Sequence, residues 1–92
     1  MVRPRCRRHL CFRPRFRYFK PQGVPLRLLK EVNLFPDELE ALKLHDVDQL
    51  NHQRSASAMK ISQPTFSRIL NRAYGKVAKA LVRGHAIRLP KS

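Results

Sequence analysis

Between Asn51 and Ala73 the chain reads NHQRSASAMKISQPTFSRILNRA, a spacing that fits two short helices joined by a tight turn. Ala56, Met59 and Ile61 are followed by Phe66, Ile69, Leu70 and Ala73. Small and apolar residues at those offsets let one helix cross another closely. Asn51 and Ser62 are residue types whose side chains accept a backbone N–H at a helix start, so each is read as a cap. Pro64 falls in the first turn of the second helix, where its missing N–H costs nothing.

That second helix is predicted over about residues 63–82. Placing residues about every 100° gathers Phe66, Ile69, Leu70, Ala73, Val77, Ala80 and Leu81 into one buried arc. Pro64, Arg68, Asn71 and Gly75 point the other way, with Thr65, Ser67 and Arg72 flanking them. Gly75 weakens the helix by about 1 kcal/mol relative to alanine and is read as a close approach or a kink. Gly84 ends the unit.

An earlier helix is expected over about 36–47. Pro36 suits a first turn, and Asp37, Glu38 and Glu40 complement the positive end of the helix dipole. Leu39, Leu42, Leu44 and Val47 supply its buried face, and a helix over about 51–59 follows. Pro25 to Leu34 reads as a connector with a helical turn near 26–30. Phe16 to Lys20 is aromatic and alternating, and His85 to Leu89 is bracketed by Gly84 and Pro90. The two segments are expected to pair as a short ribbon packed on the helices, since a lone two-stranded ribbon is marginal. The fold class is therefore mainly α: a three-helix helix-turn-helix domain over 16–92, a short two-stranded ribbon, and a flexible basic arm over 1–15.

Charge narrows the partners. The net charge is +14, and all six acids (Glu31, Asp37, Glu38, Glu40, Asp46, Asp48) lie within residues 31–48, flanked by two basic regions without a carboxylate. Such polarity favours a polyanion, and nucleic acid is the commonest. No run of about 18 apolar residues exists to span a bilayer, so no membrane partner is expected. The basic start lacks the apolar stretch of a secretory signal, which makes the cytoplasm the default location.

Cys6, His9 and Cys11 lack a fourth ligand, and His45, His52 and His85 form no second pair. Reduced thiols, no metal and no cofactor are expected. No Ser-His-Asp arrangement, paired-carboxylate site or phosphate loop stands out, so catalysis is not expected.

A helix-turn-helix presents its second helix to the DNA major groove, where Arg pairs with guanine and Asn or Gln with adenine. Gln63, Thr65, Ser67, Arg68 and Asn71 are accordingly the candidate base contacts. Arg54, Lys60, Ser62, Arg72 and Lys76, with Arg3, Arg5, Arg7 and Arg8 of the arm, are the candidate backbone contacts. The expected function is DNA binding, as a transcriptional regulator. The alternative is an RNA or non-specific nucleic-acid binder that stacks bases on Phe12, Phe16, Tyr18 and Phe19. Double-stranded DNA is the expected partner. Docking of RNA polymerase on the acidic helix and formation of a homodimer are both compatible with it.

Nearly the whole chain resembles a small family of uncharacterised prokaryotic proteins. The matching stretches are RPR at 3–5, CRR at 6–8, CF at 11–12, YFKPQGVPLR at 18–27, DELEALKLHD at 37–46, MKIS at 59–62, TFSRIL at 65–70 and KVAKALVRGHAIRL at 76–89. The resemblance implies DNA binding through a sigma-factor region-four-like helix-turn-helix, without established chemistry. Three departures stand out. Lys60 occupies a turn position where the family usually has glycine, a left-handed site that costs a lysine about 1 kcal/mol. His52-Gln53-Arg54-Ser55 replaces a Gln-Glu-Glu-Ala type run, which removes a capping-box Glu and makes that helix more basic. Phe35 stands where a Thr or Ser cap is usual before the first helix.

Overall fold

A computed structural model describes residues 17–90. The predicted arm over 1–15 lies outside the described residues. In chain order the elements are β1 (Tyr18–Phe19), a 3-10 turn (Leu26–Leu28), β2 (Glu31–Asn33), α1 (Pro36–Leu42), α2 (His52–Met59), α3 (Gln63–Arg83) and β3 (Ala86–Arg88). The fold is mainly helical, with three helices and a small three-stranded sheet.

Local chemistry sets the helix ends. Asn51 Oδ1 accepts the Arg54 N–H at 2.8 Å, so Asn51 caps α2 from just outside it. Ser62 caps α3, and Gly84 closes it in the left-handed region at φ 70° with its N–H on the Ala80 carbonyl. Phe35 offers no oxygen at the start of α1. Its backbone N–H instead donates to Glu38 Oε1 at 2.8 Å, the reciprocal half of a capping box.

α1 does not continue as a regular helix. Lys43–Val47 form a π-helical extension, closed by the Asp48 N–H on the Lys43 carbonyl at 2.8 Å. The wider turn changes which side chains face inward. Leu44 is fully buried, whereas Val47, expected in the core, is 73% exposed. The 100° spacing behind that expectation does not hold through a π turn.

The core forms where the three helices meet: Ala41 and Leu44 on the first, Ala56 and Met59 on α2, and Phe66, Ile69 and Leu70 on α3. Leu42, Leu50 and Ile61 pack against it. Ala73 and Ala80 continue the buried side of α3, and Val77 is half-buried. Leu81, the last member of the expected arc, is instead 75% exposed. The last turns of α3 run past α1 and α2 toward the small sheet, which leaves that edge uncovered. Gly75 marks no close approach: a Cβ there would meet nothing within 4 Å, and α3 runs through it unbroken.

The expected ribbon is present, with β1 antiparallel to β3 in the register Tyr18↔Arg88 and Phe19↔Ile87. It has a third strand that the connector reading missed. β2 pairs parallel with β3, Val32 opposite Ile87, so β3 is central in the order β1-β3-β2. All three helices lie between β2 and β3 in the chain. The sheet therefore ties the two ends of the helical unit together beside the C-terminus of α3.

Candidate nucleic-acid interface

The link between α2 and α3 is built by Lys60. Its backbone is left-handed, at φ 59° and ψ 44°, and its N–H reaches the Ser57 carbonyl while the Ile61 N–H reaches the Ala56 carbonyl. These two bonds close a Schellman-type ending that normally favours glycine. The chain then re-enters a helix within two residues. Ser62 Oγ accepts the Thr65 N–H at 3.2 Å and donates to Thr65 Oγ1 at 2.9 Å.

α3 thus begins in the open. Gln63, Pro64, Arg68 and Asn71 are exposed along its outer side, and Thr65 and Ser67 are half-buried on its flanks. Ser67 Oγ lies 3.2 Å from His52 Nδ1. The exposed His52 ring meets the Phe66 ring edge-on at 5.5 Å and the His45 ring at 4.7 Å, so one side of it rests on the neighbouring elements. His45 is oriented in turn by donating from Nδ1 to the Leu50 carbonyl at 2.8 Å. The His52–Ser67 contact joins α2 to the outer side of α3, and nothing in the spacing of the two residues announces it.

Arg54 in the first turn of α2 and Lys60 at its end are exposed, and Arg68 is exposed in the first turns of α3. Arg68 lines a shallow cleft of about 340 Å³ whose apolar wall is Met59, Ile61 and Ile69 and whose far side is Asp37 and Arg72. Among the described residues the ion pairs engage Lys43, Arg72 and Lys76, and none of these three cations.

Arg72 and Lys76 are placed differently. They lie one turn apart on the flank of α3 that meets α1, and both turn inward to the fully buried Glu38. Arg72 Nε donates to Glu38 Oε2 at 2.8 Å, and its Nη2 lies 3.5 Å from Asp37. Lys76 Nζ donates to Glu38 Oε1 and to the Asn33 carbonyl, both at 2.7 Å, and stands 3.9 Å from the centre of the Phe35 ring. Burial pushes the Glu38 carboxyl upward. The hydrogen bonds from Lys76, the Phe35 N–H and Arg72, with the charge of Lys76, outweigh it and hold the group below its ordinary value. Arg3, Arg5, Arg7 and Arg8 lie outside the described residues, as do Cys6, His9 and Cys11.

At the other end of α1, Tyr74 donates its hydroxyl to Asp46, whose oxygens lie at 2.9 and 3.0 Å. Burial, the hydrogen bond and the Asp46 charge together raise the phenol above its ordinary value. Among the described residues, no group of three or more His, Cys, Asp or Glu side chains is arranged to hold a metal ion. No helix there is long and apolar enough to cross a membrane.

The family model described as "Protein of unknown function DUF134" matches residues 1–90. The chain belongs to the DUF134 family. Similar to it are proteins named UPF0251. The one from Halothermothrix orenii is 46% identical over 88 residues, covering 96% of this chain and 65% of that protein. The one from Vibrio parahaemolyticus is 46% identical over 90 residues, covering 98% and 94%. The one from Desulforudis audaxviator is 52% identical over 86 residues, covering 94% and 56%. This DUF134 chain thus spans nearly the whole of the Vibrio relative but less than two-thirds of the other two. No solved structure matches it.

Proposed function

We propose that this chain binds double-stranded DNA as a sigma-factor region-four-like helix-turn-helix protein, a transcriptional regulator of the cytoplasm without catalytic activity. In this reading the first turns of α3 enter the major groove. The observation that carries it is the α3 N-terminus: a serine-capped helix start that projects Gln63, Arg68 and Asn71 outward, beside Arg54 and Lys60, which form no ion pair among the described residues.

The roles follow from exposure. Gln63, Arg68 and Asn71 are free to read base edges, because amide and guanidinium groups match the donor–acceptor patterns of adenine and guanine. Thr65, tied to Ser62, lies by the helix start, where backbone N–H groups favour a phosphate. Ser67 contributes a hydroxyl held by His52. Arg54 and Lys60 bind phosphates and fix register. Arg72 and Lys76 act chiefly as pins that hold α3 to α1 through Glu38, and half-exposed Arg72 keeps one side toward the duplex. An RNA polymerase surface on the acidic segment would rest on Asp37, Asp46 and Asp48, since Glu38 and Glu40 are buried.

The alternative, an RNA or non-specific nucleic-acid binder, draws on Phe19, which is 57% exposed on β1. Binding of labelled duplex and of single-stranded RNA by Arg68→Ala and Phe19→Ala separates the two. The proposal expects Arg68→Ala to abolish sequence preference on duplex DNA. Loss of RNA binding in Phe19→Ala, with Arg68→Ala silent on both ligands, overturns it.

A further inference from the structure

The sheet end of the molecule carries a second concentration of positive charge that the α3 N-terminus does not use. Arg27 sits in the 3-10 turn, Lys30 precedes β2, and Lys79 and Arg83 end α3. All four are exposed. None of them appears in an ion pair among the described residues. Glu31, on β2, is the one carboxylate within these elements.

Distance separates this surface from the first. α3 has 21 residues, which at 1.5 Å each makes about 31 Å from its capped start to the sheet end. The molecule's long axis extends 41 Å. The major groove is only about 12 Å wide. A duplex that α3 enters end-on, with only its first turns in the groove, therefore leaves the sheet end well outside that groove. Between the two ends lie the acids of α1 and its π-helical extension, with Asp37, Glu38, Asp46 and Asp48 engaged by Arg72, Lys76, Tyr74 or Lys43. Charge is thus neutralised at the middle of the molecule and left open at both ends.

We infer that the sheet end is a second nucleic-acid surface that grips phosphates, so that one chain joins two separate duplex segments. The inference rests on the reading of α3 as the DNA-contacting helix. Phosphate binding fits because the four cations come from three separate segments beside the sheet, which spreads charge along a backbone. An anionic bilayer also attracts basic residues, and Phe19, Leu28, Leu81 and Val82 are exposed at the same end, so the vesicle arm of the test separates the two. Contacts of this kind carry no sequence information but add steep salt dependence.

The test uses the full chain with two duplexes that share the selected sequence, one carrying a donor dye and one an acceptor. Energy transfer reports joining, anisotropy reports binding of one duplex, and sedimentation gives the number of chains per complex. The expected result is a complex of one chain with two duplexes. The variant Arg27→Ala/Lys79→Ala/Arg83→Ala, exposed at every position, is expected to keep the melting temperature and single-duplex binding. It should lose joining at least tenfold, with a salt slope shallower by about 0.9 per cation removed. Intact single-duplex binding without joining, joining unaffected by the triple variant, or two chains in every joined complex overturns the inference alone. So does capture by phosphatidylserine vesicles through these residues when a second duplex is not bound. Failure of the chain to bind even one duplex overturns the reading of α3, and this inference with it.

Discussion

Lys76 Nζ on α3 lies 2.7 Å from Glu38 Oε1 on α1, a contact that spans 38 positions of the chain. It joins a residue that reads as a DNA-contacting cation to one that reads as a dipole-complementing acid. Each helix taken alone supports its own reading, but the two helices pack against each other and the charges neutralise between them. The pair orients α3, and through α3 it sets the direction in which Gln63 and Arg68 point.

Glu38→Ala is expected to destabilise the fold by about 3 kcal/mol, because it leaves Lys76 and Arg72 facing a buried vacancy. Urea denaturation measures it. The sign of the pH dependence follows from the lowered Glu38 value. The stability that this group contributes is complete above the ordinary carboxylate range near 4.3 and is lost as pH falls through its lower folded value. Wild type should therefore lose stability as pH falls below about 4.3, and Glu38→Ala should lose correspondingly less over the same interval.

Lys60→Gly is expected to stabilise the chain by roughly 0.5–1 kcal/mol, since the site is left-handed and glycine has no Cβ penalty there. Duplex affinity should fall at the same time, because a cation beside the groove is lost. A thermal melt and a binding titration on the same variant show both changes.

Asn51→Ala removes the oxygen that satisfies the Arg54 N–H and should cost about 1 kcal/mol. Asn51→Asp should retain most of that stability. Urea titrations of the two variants side by side distinguish a cap from a merely exposed residue.

Arg68→Ala and Arg54→Ala should behave differently on DNA. The first is expected to abolish the preference among duplexes, including the about 1–3 kcal/mol of discrimination at the base pair that the arginine contacts. The second should weaken all duplexes alike and flatten the salt slope by about 1. Competition titrations with single-base variants across a range of salt measure both.

Much of this architecture is written locally in the chain. Asn51, Ser62, Pro64 and Gly84 mark helix ends through groups within a few residues, and Phe66, Ile69 and Leu70 declare their face by spacing. The ribbon was legible from Gly84 and Pro90, which bracket β3. β2 was not: Glu31-Val32-Asn33 has little alternation, and its partner is 55 positions away across three helices. Val47 leaves the predicted face because a π turn breaks the 100° period, and Leu81 because α3 outruns its neighbours. At the site, exposure of Gln63, Arg68 and Asn71 followed from the wheel. The engagement of Arg72 and Lys76 did not, since it depends on how α1 crosses α3.

The central claim is that the first turns of α3 read duplex DNA. Selection of bound sequences from a random duplex library, at near-physiological salt with excess single-stranded RNA as competitor, tests it most directly. The account predicts a shared motif recovered by wild type and lost in Arg68→Ala. No enriched motif, with the RNA displacing the chain from duplex, would contradict it.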